Sequence, residues 1–263
     1  MFARRPIRAS LIRLLQNPRR VTLQRLPRRL PLRALAASLL LAGCGETLPE
    51  PNAEVVTRAS PLKILAMGDS MLAWHRGSGF AISDELERQL GTPVVDRSVT
   101  AARYNYLLPI SGALGLNISK QYRDGEWDWV VLNGGGNDLW LGCGCVACDS
   151  TLDKLISSEA TKGKIPELVS RIRSGGARVI YLGYIHSPGS FSIVDHCKDE
   201  ALEFESRLKK LSEKHRGFYF LRLSNLVPKG DRSFHSVDMI HPSVKASKII
   251  GKLIADIIRD DSL

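Results

Sequence analysis

Residues 63–70 read Lys63-Ile64-Leu65-Ala66-Met67-Gly68-Asp69-Ser70. The run from Lys63 to Met67 is a short, mainly apolar segment that stops at Gly68, which reads as a strand. A serine placed directly after it sits in a tight strand-to-helix turn, with its hydroxyl at the mouth of a sheet and near a helix N-terminus. Downstream, strand-like and helix-like segments alternate to the end of the chain. Ile82, Leu86 and Leu90 recur at helical spacing, Pro93-Val94-Val95 reads as a second strand, and Trp127 to Asn133 as a third. Ile165, Leu168, Val169 and Ile172 mark a helix before the strand Val179-Ile180-Tyr181-Leu182. Ala201, Phe204, Leu208 and Leu211 mark the next, before the strand Phe218-Tyr219-Phe220-Leu221. Ile249, Ile250, Leu253, Ile254 and Ile257 complete a C-terminal helix. Repeated strand-then-helix order predicts an α/β domain, a parallel sheet with helices on both faces. Ligands bind such sheets beyond the carboxyl ends of the strands.

Three short motifs fall at those ends. Gly68-Asp69-Ser70 alone is equally a turn in which Ser70 or Asp69 caps a helix. Gly135-Gly136-Asn137-Asp138 closes the third strand; the glycines allow a sharp turn, and an asparagine amide at its tip can donate into a cleft. Asp238-Met239-Ile240-His241-Pro242 precedes the last helix. A spacing of three lets both side chains face one way, and an imidazole acting as a base needs an orienting partner. A lone DxxH is common by chance, and His241 is one of six histidines.

In this order and at these distances the motifs resemble those of the SGNH (GDSL-type) hydrolase family, over roughly residues 61–260. The resemblance implies a three-layer α/β/α, flavodoxin-like fold with a five-stranded parallel sheet of order 2-1-3-4-5. It implies Ser70 as nucleophile, His241 as general base and then general acid, and Asp238 as the residue orienting His241. Asn137 would donate its side-chain amide to the oxyanion beside the Ser70 N–H, with Asp69, Gly135 and Asp138 supporting the motif turns. The family's second block carries a glycine whose N–H completes the oxyanion hole, and the matching stretch here, residues 96–103 (DRSVTAAR), has none. Ala101 aligns best to that position, with Ser98 and Ala102 as alternatives. A backbone N–H survives Gly→Ala where φ is negative; where φ is positive, the local turn must differ. One missing oxyanion donor costs about 10²–10³-fold in rate. Acyl transfer to serine calls for no metal and no organic cofactor.

The chain has 37 basic and 27 acidic residues, a formal charge of +10. Ten arginines (Arg4, Arg5, Arg8, Arg13, Arg19, Arg20, Arg25, Arg28, Arg29, Arg33) lie in residues 1–43, which hold no lysine and no acid. Without them, 27 basic residues face 27 acidic ones from Cys44 onward. The body therefore has no electrostatic footprint for nucleic acid. Residues 1–43 read as an export signal: Arg28, Arg29 and Arg33 flank the apolar run from Ala34 to Ala42, too short to span a bilayer. The run ends in Leu41-Ala42-Gly43-Cys44, which resembles the lipobox of a bacterial lipoprotein signal, so that Cys44 would be lipidated and become the new N-terminus. The long basic stretch before the run suggests a start codon annotated too early, with Val21 as one candidate start. Residues 44–60 suit a polar tether, and residues 61–263 the hydrolase domain. Gly45, where an aspartate would favour inner-membrane retention in some bacteria, points to an outer-membrane, periplasm-facing location.

An exported protein meets an oxidising compartment, so Cys143, Cys145, Cys148 and Cys197 suggest two disulfides. Three pairings are open. Cys143-Gly144-Cys145 is too tight for a relaxed bridge, so Cys197 is expected to reach back to one of the other three. The competing reading is a zinc site with His196 in reserve, although only Cys145-Val146-Ala147-Cys148 has knuckle spacing. The CGCVAC loop and Cys197 are expected at the active-site rim, with Tyr104, Tyr106, Trp140 and His186 as candidate cleft residues. The expectation is a monomeric envelope esterase acting on a small or carbohydrate-borne acyl group. An O-acyltransferase uses the same acyl-enzyme. A non-catalytic binding lipoprotein of this fold would be expected to lose Ser70 or His241, and both are present.

Overall fold

The apolar run after Lys63 is buried along its length and forms β1 (Ile64–Met67), the second strand in a parallel sheet. The computed structural model describes residues 61–106, 109–189 and 192–261. The expected leader (residues 1–43), Cys44 and the expected tether to residue 60 lie outside the described residues. Among the described residues, β2 (Val94–Asp96), β3 (Trp129–Asn133), β4 (Arg178–Leu182) and β5 (Phe218–Leu221) complete the sheet. All neighbours are parallel in the order β2-β1-β3-β4-β5, the expected one. Ile64 pairs with Val94 on one side and Trp129 on the other. Three strand starts move inward from the sequence reading, β1 by a single residue from Lys63 to Ile64. Pro93 has no N–H to give a ladder, so the edge strand β2 begins at Val94. Trp127 turns back to donate its indole N–H to the Arg123 carbonyl, so β3 begins at Trp129.

Side chains alternate across the sheet and build two cores. Ile64, Ala66, Val131 and Ile180 face α2 (Ile82–Leu90) and the last helix, Val244–Asp260, through Ile82, Leu86, Ile250 and Ile254. Leu65, Met67, Val130 and Val179 face helices at 149–155, 164–174 and 198–214 through Leu155, Ile165, Leu168 and Leu208. These helices are α3 (Asp149–Leu155), α4 (Lys164–Ser174), α5 (Lys198–Lys214) and α6 (Val244–Asp260), and α1 is the short turn Ser70–Ala73. Full burial of one such side chain stabilises by about 1.5–3 kcal/mol. The two cores clamp the sheet between helix layers, giving the three-layer α/β/α architecture. β1 and β3 are neighbours whose chains continue towards opposite faces, so a crevice opens beyond their carboxyl ends. Ser70 and Asn137 follow those two ends.

Candidate active site

Ser70 owes its position to the turn before it. Gly68 brings β1 close against β3, and a Cβ there would stand 2.5 Å from the Asn133 carbonyl oxygen. The buried Gln121 side chain holds the same residue from the other side. It accepts the Gly68 N–H at 2.6 Å and donates to the Gly68 and Gly115 carbonyls at 2.8 Å. Asp69 then caps α1, its Oδ1 accepting the Met71 N–H at 2.9 Å. Ser70 is the first residue of that helix, so its N–H has no intrahelical acceptor.

His241 Nε2 lies 2.8 Å from Ser70 Oγ, and Nδ1 lies 2.6 Å from Asp238 Oδ2. The other oxygen of Asp238 accepts the N–H groups of Ile240 and His241, each at 3.0 Å, while Met239 takes a left-handed φ of 59°. That Asx-type turn aims carboxylate and imidazole at one another. Burial pushes the Asp238 carboxyl up, but the His241 ring and the two backbone N–H bonds outweigh it, holding the group below the usual carboxylate range. An ionised carboxylate only accepts, so Nδ1 carries the proton and Nε2 presents its lone pair to the Ser70 hydroxyl. The Trp74 indole lies flat on the His241 ring.

Gly135, at φ 96°, lets the turn after β3 pass over the Phe204 ring, which a Cβ would meet at 2.6 Å. Asn137 Nδ2 donates to the Ala102 carbonyl at 3.1 Å. A primary amide has two N–H donors, so one remains. The buried Asp138 accepts the N–H groups of Tyr104 (2.9 Å) and Asn105 (2.8 Å), tying this turn to the loop that carries Ala101. Burial raises its carboxyl against those two bonds. Of the three candidates for the second block, Ser98 donates its N–H to Asp96 Oδ1 and Ala102 donates its own to the Val99 carbonyl. The Ala101 N–H has no acceptor among the described residues, and its φ of 64° puts an alanine in the left-handed region that favours glycine. Ala101 is not part of the cavity wall, whereas Ser70, Gly136 and Asn137 are.

Tyr184, two residues beyond β4, joins the motifs. Its hydroxyl donates to Asp69 Oδ2 at 2.5 Å and accepts the Gly136 N–H at 2.9 Å. Burial is the main reason the Asp69 carboxyl is pushed up to about 6, against the Tyr184 and Met71 bonds. Trp74, Gln121 and Tyr184 were missed in the sequence because none belongs to a motif. Their only signals were proximity to Ser70 for Trp74 and to the end of β4 for Tyr184.

A cavity of about 400 Å³ opens beside Ser70 and His241. Its walls are mostly apolar, with Leu139, Trp140, Ile185, Val194 and Phe204. Trp140 and His186 line it as expected. Tyr104 does not: it is buried in the core, its hydroxyl 3.3 Å from that of Tyr181. Tyr106 also lies away from the wall, under the Arg103 guanidinium, donating to the Ala101 carbonyl. One wall is a π-helical turn, Leu139–Cys143, of the kind often found at functional sites. Disulfides Cys143–Cys148 and Cys145–Cys197 close that wall on itself and join it to the start of α5. Both sulfurs of Cys145 and Cys197 are in one disulfide, so the cluster with His196 has no thiolate for a zinc ion.

The family model for the GDSL-like lipase/acylhydrolase family matches residues 66–249, from β1 into α6. Among solved structures, the chain is similar to a protein assigned to the SGNH hydrolases from Slackia heliotrinireducens (16% identity, TM-score 0.53, 75% of this chain and 98% of that one). It is also similar to the psychrotrophic esterase EstA from Pseudoalteromonas sp. (19% identity, TM-score 0.50, 75% and 97%). A third is Est24, a carbohydrate acetylesterase from Sinorhizobium meliloti (15% identity, TM-score 0.50, 76% and 99%). At these identities the likeness is one of fold. No curated protein sequence matches the chain. With a family match over most of its length and the corresponding sheet order, the chain belongs to the GDSL-like lipase/acylhydrolase family, the SGNH-type serine hydrolases of ester bonds.

Proposed function

We propose that this protein is a serine esterase of the bacterial envelope, with Ser70 as nucleophile, His241 as base and then acid, and Asp238 as its orienting partner. The observation that carries this reading is the unbroken relay from Ser70 Oγ to His241 (2.8 Å) to Asp238 (2.6 Å) at the mouth of the cavity. As Ser70 Oγ attacks the ester carbonyl carbon, its proton passes to His241 Nε2, and Asp238 balances the imidazolium without taking the proton. The tetrahedral oxyanion is met by the Ser70 N–H and the second N–H of Asn137. His241 returns the proton to the departing alcohol. Water then loses a proton to His241 and attacks the acyl carbon, and His241 passes that proton to Ser70 Oγ as the Oγ–acyl bond breaks and the acid leaves.

The cavity has room for more than an acetyl group, so its apolar walls suit the acyl chain. The Sinorhizobium protein of the same fold is a carbohydrate acetylesterase, which makes an O-acylated glycan the first natural substrate class to try. The lipoprotein-like leader supports a membrane-anchored, periplasm-facing enzyme. Hydrolysis of p-nitrophenyl acetate by the purified chain, compared with Ser70→Ala, tests the reading. The variant is expected to lose at least about 10³-fold in kcat; equal rates would sink the serine mechanism. Extending the acyl chain then reports how much of the cavity the acyl group fills.

A further inference from the structure

Trp74 is the C-cap residue of α1, one turn beyond Ser70. Its indole stacks on the His241 ring with centroids 3.8 Å apart and planes 8° from parallel. The stack is braced. Trp74 Nε1 donates to Ser236 Oγ at 2.9 Å, that hydroxyl donates to the Pro242 carbonyl at 2.9 Å, and the Ser236 N–H donates to the His241 carbonyl at 2.8 Å. The short turn that supplies Ser70 therefore also supplies the surface on which His241, 171 residues further along, rests. Trp74 does not line the cavity, so its contact is with His241 and away from the substrate.

Both nitrogens of His241 are engaged, one by Asp238 and one by Ser70, which leaves the ring face as a further place where the protein can act on it. A neutral imidazole on an indole face gains dispersion and offset-stacking energy. An imidazolium gains, in addition, the attraction of a cation for the negative face of the π system, worth roughly 2- to 30-fold in an equilibrium or a rate. In the serine mechanism proposed above, the imidazolium exists only after the Ser70 proton has moved, that is, near the transition state and in the tetrahedral intermediate. A contact that strengthens only then raises kcat and leaves ground-state binding alone.

We propose, on the basis of that Ser70–His241–Asp238 reading, that Trp74 is a positioning residue that selectively stabilises protonated His241. The charged and titratable groups around this ring are Asp238 on Nδ1, Asp69, whose charge also acts on His241, and His235, on which the Asp238 charge acts. His75 stands edge-on to Trp74, with ring centroids 6.2 Å apart and its Nε2 3.1 Å from the Pro242 carbonyl oxygen. All four are retained in the variants below, so a change in titration belongs to the indole.

The test compares wild type, Trp74→Phe and Trp74→Leu with p-nitrophenyl acetate across pH, alongside an NMR titration of the His241 ring. The Leu variant is expected to lose roughly 2- to 30-fold in kcat at unchanged KM. The acid limb of its kcat/KM profile and the His241 titration are expected to move to lower pH by roughly 0.3–1.5 pH units, the same factor on the pH scale. The Phe variant, with a weaker π face, is expected to fall between. If both curves stay in place in both variants, Trp74 only packs against the ring and the proposal is overturned, whatever the rates do. Should the Leu variant fail to fold, the Phe variant decides on the same two curves. Equal rates for wild type and Ser70→Ala would instead overturn the serine mechanism, and the NMR titration would still judge the stack by itself.

Discussion

Ala101 holds a φ of 64°, a region where the Cβ of an L residue crowds the backbone. The strain is of the order of 1–2 kcal/mol, and a glycine relieves it while adding roughly 0.5–1 kcal/mol of unfolded-state entropy. Ala101→Gly is therefore expected to raise stability by roughly 0.5–1 kcal/mol, read as a higher denaturant midpoint at unchanged slope. A drop would show that the alanine methyl contributes packing larger than its strain. Asp69 makes a pH prediction. Its carboxyl sits at about 6 when folded against 3.8 as a free side chain. The proton is thus bound more tightly in the native state. The resulting stabilisation is complete below pH 3.8 and is lost as the pH rises through 6, about 3 kcal/mol in all. Asp69→Asn, which cannot titrate, is expected to lose that decline, so its unfolding free energy should change less than that of wild type between pH 4 and 7. The sequence exposed Ser70, Asn137, Asp238 and His241 because each sits in a short motif at a strand or helix end. Gln121, Tyr184 and Trp74 were hidden because they act through contacts 53, 115 and 162 residues away in the chain.

The π-helical turn after Asn137 and the N-terminus of α5 are separate elements whose distance is set by Cys145–Cys197, a bridge spanning 52 residues of chain. Closing a loop of that length is worth about 4 kcal/mol in the chain-entropy view, with measured values commonly lower. Cys197→Ser paired with Cys145→Ser is expected to cost about 2–4 kcal/mol of stability. Since Cys197 and Trp140 are both in the cavity wall, the double variant is also expected to raise KM for longer acyl esters more than for the acetate. Thermal unfolding and the acyl-length series check the two halves, and wild-type values in both would show that the bridge does not shape the cavity. Strands were legible from apolar spacing to within two residues, and each long helix was placed, although α5 runs three residues past its marked positions at either end and α6 starts five residues earlier. Their ends were less so, because Pro93 and the Trp127 turn act through hydrogen bonding that spacing does not record. Cysteine count and compartment suggested two disulfides but left the pairing open, since three pairings share one sequence.

At the scale of the whole chain, the charge is divided between arginine-rich residues 1–43 and a balanced body from Cys44 onward. Cys44→Ser is expected to move the protein from the membrane fraction to the soluble fraction of an expressing bacterium without loss of p-nitrophenyl acetate hydrolysis; retention of the variant in the membrane would argue against a lipid anchor at Cys44. The alternation of apolar strand and amphipathic helix by itself determined the parallel α/β layering. Each buried face must meet another, and a parallel crossover needs a helix. The motif order likewise brought Ser70, Asn137, Asp238 and His241 into view as candidate site residues. Only the tertiary structure decided which of Ser98, Ala101 and Ala102 has an N–H without an acceptor among the described residues, which cysteines pair, which aromatic residues belong to the core and which to the cavity, and that Trp74 lies on His241. Those are distances between residues remote in the chain, set by how two helix layers close over one sheet, and local spacing carries no record of them.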